Sequence, residues 1–212
     1  MTTTRIDLIR HGEPEGGDVF RGRINPVLTA QGLWQFEQRL QLIEPAWNQI
    51  ISSPLSRCLA SATGLSERLG LPLSVDERWI EIDFGDWENR LVADVLREQS
   101  AQAKQLWADP LNFCAPGGES VPEVQQRVLA AWTDLLNTYQ GGHLLVVCHG
   151  GVMRVLAQHL LSLAPEAMNR LAIPYAGLMR FKVDRSEWMG KTDDWVSLEG
   201  MDGSELIFPS GN

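Results

Sequence analysis

Two stretches of this chain, Leu8-Ile9-Arg10-His11-Gly12 and Val146-Val147-Cys148-His149-Gly150, each run through a β-type segment into His-Gly. In an open α/β sheet, groups just beyond the carboxyl ends of parallel strands meet at one ligand-binding edge. Two histidines there, with Arg10 beside the first and glycine turns at Gly12 and Gly150 offering backbone N–H groups, suit a phosphoryl group. A phosphomonoester brings nearly two negative charges and three equatorial oxygens that must be held during in-line displacement. Arg10, Arg57 and a protonated His149 would surround those oxygens, each arginine presenting a bidentate fork. His11, as a neutral imidazole, would attack phosphorus and carry the phosphoryl group covalently. An acid must also protonate the leaving alkoxide and later take a proton from water. The irregular segment 76–89 offers Glu77, Glu81, Asp83, Asp86 and Glu88, and spacing does not choose among them.

The elements that must position these groups follow from periodicity. Ile6 and Leu8 face one way in a first strand, and residues 13–26, rich in glycine and charge, form a long surface loop. A helix is expected from Thr29 to about Leu42, with Leu33, Phe36, Leu40 and Ile43 on one apolar face. Asn48 to Ser52 reads as a second strand. Ser53 as N-cap and Pro54 at the first helical position then start a helix that carries Arg57 in its opening turn. Leu71 to Val75 is a short third strand, and one helix is predicted over about Leu91 to Trp107. Ser120-Val121-Pro122-Glu123 is a capping box launching a helix to about Tyr139. His143 to Cys148 is the most apolar strand and feeds directly into a further helix. Gly177 to Val183 and Trp195 to Phe208 look like strands near an edge. Strand–helix alternation without repeat or linker predicts one domain over residues 1–212, a three-layer α/β/α arrangement with a mainly parallel sheet.

Composition narrows the partners. The chain has 212 residues, 44% hydrophobic and 21% charged, ordinary values for a globular protein. Its formal charge of −9, with no basic tract, argues against nucleic acid and anionic membranes as partners. A small anionic phosphate ester stays open, because local arginines decide that. The first strand starts almost at once, no apolar run is long enough for a bilayer, and three scattered cysteines form no disulfide framework. A cytoplasmic location is expected, with oligomeric state left open.

Four blocks in order carry a family resemblance: Leu-Ile-Arg-His-Gly-Glu, Ser-Ser-Pro-Leu-Ser-Arg-Cys, Glu81-Ile-Asp-Phe-Gly-Asp-Trp-Glu88 and Cys-His-Gly-Gly-Val. From about residue 5 to residue 160 the chain resembles the histidine phosphatase superfamily, the phosphoglycerate mutase-like group. The resemblance implies that fold over residues 1–212 and a phosphohistidine mechanism. His11 is then the phosphorylated nucleophile, with Arg10, Arg57 and His149 as the phosphate pocket and Glu81 as the proton donor. Arg21 and Gly22 match a substrate-proximal loop and join Gly12 and Gly150 as expected substrate contacts. No metal and no cofactor are implied. The compact Pro116-Gly117-Gly118-Glu119-Ser120 block stands where mutases of the family carry a longer basic insert, which favours a phosphatase. The pattern is most similar to the α-ribazole phosphatases of cobalamin nucleotide-loop assembly, so α-ribazole 5′-phosphate is the expected ester. A broad-specificity phosphatase and a phosphoglycerate mutase are the alternatives. Two departures stand out: Asn89 replaces a frequent glycine, and residues 14–19 lack the asparagine that mutases place near the phosphate.

Cys148-His-Gly-Gly151-Val-Met-Arg154 also resembles the phosphate loop of cysteine-dependent phosphatases, with Cys148 as a thiolate nucleophile and Arg154 as clamp. That reading leaves His11, Arg10 and Arg57 without a task. An inactive binding module of the same fold is a further alternative, opposed by competent residues at every core position.

Overall fold

The computed structural model of the chain describes residues 1–43, 46–204 and 206. Six strands, β1 (Thr2–Arg10), β2 (Gln49–Ser52), β3 (Leu73–Val75), β4 (His143–Cys148), β5 (Leu178–Trp188) and β6 (Lys191–Asp202), form one sheet in the order β3-β2-β4-β1-β5-β6. The four strands from β3 to β1 are parallel, whereas β5 and β6 run antiparallel. The expected mainly parallel sheet between helices is what the fold shows.

Alternation along the central strands explains the layers. Ile6, Leu8, Leu144, Val146 and Cys148 point into one core, shared with helices α5 (Val121–Thr138) and α6 (Gly150–Leu160). Ile9, Leu145 and Val147 point into the opposite core, shared with α1 (Ala30–Gln41) and α2 (Ser56–Leu69). Both faces of β1 and β4 are therefore covered along their middles, and the chain leaves the sheet at their carboxyl ends in the two His-Gly turns. The mid-strand Asp7, 2% exposed, is the polar exception on the second face, held by Trp47 Nε1 at 2.9 Å and His143 Nε2 at 3.1 Å.

Several boundaries differ from expectation, each for a tertiary reason. Ser53 does not cap α2, which starts at Ser56 after Leu55. The Ser53 hydroxyl lies 2.7 Å from His149 Nε2, while Asn25 Oδ1, from the distant loop, accepts from Ser56 N at 2.7 Å. The predicted helix over 91–107 is two helices, α3 (Val92–Glu98) and α4 (Ser100–Ala108), broken at Gln99, whose side chain accepts a 2.6 Å bond from buried Trp87 Nε1. Leu33 is 47% exposed, because the buried stripe of α1 runs instead through Gly32, Phe36, Arg39 and Leu40. The C-terminal strands form one long hairpin with Met189 and Gly190 at positive φ in its turn. Phe208, placed in a strand by the sequence, lies outside the described residues. The capping box is present as predicted, with Ser120 N donating to Glu123 at 2.8 Å. Among the described residues no helix is long and apolar enough to cross a membrane.

Candidate active site

The register of β1 on β4 pairs Arg10 with Cys148, so the two His-Gly turns leave the sheet side by side. His11 N continues the pairing, donating to Cys148 O at 3.1 Å. The two imidazoles end 5.2 Å apart, centroid to centroid, at 63°. Both are almost fully enclosed, His11 at 4% and His149 at 0% exposure.

The tautomer of His11 is fixed by its surroundings. Its Nδ1 donates to Gly12 O at 2.6 Å, and its Nε2 receives Arg57 Nε at 3.3 Å. The lone pair is thus on Nε2. Burial, then Arg10 and Arg57, hold this imidazole well below its ordinary pKa, so His11 is neutral at physiological pH. His149 is also held well below the ordinary range, first by burial and then by Arg57 and His11. The charge expected on His149 is therefore absent in the protein alone. An arriving phosphoryl dianion would favour the protonated form and supply the opposite charge that Arg57 and Arg10 withhold.

The arginines enter from separate elements. Arg57, in the first turn of α2, is fully buried and gives Nη1 to Ile24 O at 2.7 Å and Nη2 to Gly22 O at 2.8 Å. Arg10 gives Nη1 to Ile173 O at 2.7 Å and lies 4.3 Å over the Tyr175 ring, while its buried Nε has no partner. Burial pushes both guanidinium groups below their ordinary pKa. The hydrogen bonds of these desolvated cations run to neutral acceptors, the carbonyls of Ile173, Ile24 and Gly22 and the His11 ring, which suits an anion site.

The acid segment sorts itself by burial. Glu77 and Asp86 are exposed. Asp83 accepts from Gly85 N at 2.8 Å, and Glu88 is taken up by four backbone N–H groups. Glu81, 8% exposed, lines the cavity beside the arginines, and Ile82 N and Gly151 N each donate to its carboxylate at 3.0 Å. A Cβ on Gly151 would collide with that carboxylate, so glycine at this point of α6 keeps Glu81 in place.

Of the expected contact residues, Gly150 lies between Arg10 and Arg154 on the cavity wall. Gly12 is wedged against Gly32 of α1, with no room for a side chain. Arg21 lines the cavity but spends Nη2 on Glu15 O and Gly17 O. Gly22 faces inward, its carbonyl holding Arg57 and its Cα hydrogens against Ile82 O. Sequence reasoning missed Tyr175 altogether and gave Arg154 a role only in the cysteine reading. Both line a cavity of about 240 Å³ with Arg10 and Glu81; the apolar Leu106, Val121, Val155 and Met168 also line it, whereas the two histidines and Arg57 are not among its lining residues.

The cysteine alternative fails on geometry and charge. Cys148 is the last residue of β4 with its side chain in the core, and burial pushes its thiol well above the ordinary pKa. A phosphatase thiolate requires the opposite shift.

One pH effect follows. Both histidines titrate near 6.5 when unfolded and well below when folded. As pH falls through about 6.5 the unfolded chain binds more protons, so stability drops by about 1.4 kcal/mol per pH unit for each histidine. Urea midpoints at pH 7.5 and 5.5 should show this fall in the wild type and a flatter response in His11→Gln/His149→Gln.

Residues 6–193 match the model of the histidine phosphatase superfamily, branch 1. The chain is 31% identical, over 97% of its own length and 96% of the relative's, to the probable phosphoglycerate mutase GpmB of Salmonella paratyphi B. Among solved structures, a mycobacterial glucosyl-3-phosphoglycerate phosphatase in complex with VO3 superposes with a TM-score of 0.80 at 25% identity, covering 94% of this chain and 99% of that one. The α-ribazole phosphatase of Shigella flexneri shares the fold at TM-score 0.76 and 23% identity, covering 96% and 99%.

Proposed function

Because this chain belongs to the histidine phosphatase superfamily, we propose that it is a metal-independent phosphomonoesterase working through a phosphohistidine on His11. The observation that carries the reading is the neutral His11 with its Nε2 lone pair fixed among Arg10, Arg57 and His149. His11 Nε2 attacks phosphorus, and the ester P–O bond breaks as Glu81 hands its proton to the leaving alkoxide. Glu81 then takes a proton from water. The resulting hydroxide attacks phosphorus, the P–N bond breaks, and inorganic phosphate leaves. Arg10 and Arg57 hold the equatorial oxygens throughout, joined by His149 once the dianion protonates it. Charge stabilisation by side chains alone is why no metal enters this scheme.

The cavity supports a leaving group with an apolar body, since Leu106, Val121, Val155 and Met168 are among the residues that line it. A benzimidazole nucleoside phosphate such as α-ribazole 5′-phosphate fits that lining better than glycerate, which has no apolar surface to bury. The mutase name of the curated relatives favours 3-phosphoglycerate as a second reading. Hydrolysis measured in excess chelator separates them. We expect full activity on p-nitrophenyl phosphate with chelator, and kcat/KM for α-ribazole 5′-phosphate at least about tenfold above that for 3-phosphoglycerate, the scale of one to two kcal/mol of apolar contact. Isomerisation of 3-phosphoglycerate without phosphate release would establish the mutase instead, and loss of activity on chelation would remove the metal-independent scheme.

A further inference from the structure

Glu88 lies in the acid-rich segment yet takes no place on the cavity wall. Its carboxylate is occupied by backbone from two loops: Oε2 accepts from Gly22 N and Ile24 N, both at 3.1 Å, and Oε1 from Arg23 N at 2.9 Å and Phe84 N at 3.0 Å. Three consecutive N–H groups converging on one carboxylate form an anion nest, filled here by a side chain of the protein itself. The carbonyls of that same stretch, Gly22 O and Ile24 O, are the acceptors of Arg57. Arg57 in turn places Nε on His11 Nε2 at 3.3 Å.

The surroundings reinforce the clamp. Asn89, next in sequence, sits at φ 61°, and its N–H bonds Phe20 O at 3.0 Å, while Phe20 N bonds Arg90 O at 2.9 Å. Two backbone bonds thus flank the carboxylate, zipping the two loops together. The left-handed backbone at position 89 accounts for the glycine common there in the family; asparagine is among the few other residues that adopt it at low cost.

We propose that Glu88 is a positioning residue for the phosphate pocket, setting the 22–24 loop whose carbonyls aim the Arg57 guanidinium at the phosphoryl oxygens. The chain of contacts runs from carboxylate to loop N–H groups, from loop carbonyls to guanidinium, and from guanidinium to the nucleophile. Glu88 touches no reacting atom. It also supplies a negative charge close enough to favour the charged form of buried Arg57. This rests on the reading of Arg57 as a phosphate ligand.

The test is a double-mutant cycle read by orthovanadate inhibition and by p-nitrophenyl phosphate kinetics. Glu88→Gln keeps the shape but turns an amide NH2 toward backbone N–H donors, so two of the four bonds become repulsive. Its expected effect is an inhibition constant for orthovanadate raised about 10- to 100-fold, with a matching fall in kcat/KM and an unchanged pH profile. Glu88→Asp, which retains the charge, should recover part of the loss. In an Arg57→Leu background, Glu88→Gln should add less than about twofold, because residues acting through one another are non-additive. Full additivity there, or a lower thermal midpoint with no change in orthovanadate affinity, would reduce Glu88 to a general loop brace and overturn the proposal. Should Glu88→Gln not fold, the Glu88→Asp pair of measurements carries the same cycle. Unchanged orthovanadate affinity in Arg57→Leu alone would instead remove the underlying reading of the pocket.

Discussion

His11→Ala is expected to abolish phosphoester hydrolysis, lowering kcat/KM by about 10⁴-fold or more, the scale on which removal of a covalent nucleophile acts. The reasoning is geometric. Of the two buried imidazoles, His11 has one nitrogen committed to the adjacent Gly12 carbonyl and its Nε2 lone pair accepting from Arg57, whereas His149 has Nε2 at 2.7 Å from the Ser53 hydroxyl and at 3.6 Å from the Cys58 sulfur. In the proposed scheme, removing His11 deletes the bond phosphorus forms with the protein, and its companions do not substitute: Arg10 and Arg57 are cations, Glu81 is the acid, and His149 has its Nε2 on the Ser53 hydroxyl. Alkaline SDS quench of the wild type with an activated aryl phosphate should trap a phosphoprotein that survives base and is lost on acid treatment, and none should form in His11→Ala. Cys148→Ser should stay within a few-fold of wild type, since that thiol is packed in the core and held protonated. Activity retained in His11→Ala but lost in Cys148→Ser would sink the phosphohistidine scheme.

The second large effect is expected at Arg57. Arg57→Leu removes a buried charge from the phosphoryl oxygens and should cost about 10³-fold in kcat/KM, at the upper end for one electrostatic donor. It also strips Gly22 O and Ile24 O of their donors. Each acceptor left enclosed without water costs about 1–3 kcal/mol, so the thermal midpoint should fall with the activity. Arg57→Lys tests geometry rather than charge. One ammonium cannot serve two carbonyls and a phosphoryl oxygen from a single point, so most of the activity loss should persist. Near-wild-type orthovanadate inhibition in Arg57→Lys would show that charge alone suffices.

Much of this candidate site is legible in the sequence because its local signals are strong. Each histidine ends an apolar strand at a glycine turn, and Arg57 follows a strand end at a helix start; these patterns are set by neighbours in sequence. Glu81 was legible only through family resemblance. Six acids share its segment, Asp76 among them, and what sets Glu81 apart is burial against α6, a contact 70 residues away. Tyr175 gave no signal at all, because its importance comes from stacking on Arg10 across most of the chain. Ser53 misled for the same reason: a serine before proline caps a helix unless a distant group, here His149, claims its hydroxyl. The break at Gln99 likewise reflects a bond to Trp87 rather than any local helix-breaking residue. Periodicity reports which face is buried; it does not report which polar group a buried partner will recruit.

The strand order has a consequence for how the molecule comes into being. β1, the first strand made, has β4 on one side and β5 on the other, so both of its neighbours come from residues 143–188. On the ribosome the amino-terminal third must wait, with Ile6, Leu8 and Ile9 unpaired, until more than half of the chain has followed. Such long-range pairing slows folding and lengthens the interval in which apolar strand edges are open to aggregation. Nascent chains arrested before residue 143 should therefore bind chaperones and resist compaction, and those extended past about residue 188, clear of the exit tunnel, should become protease-resistant in one late step.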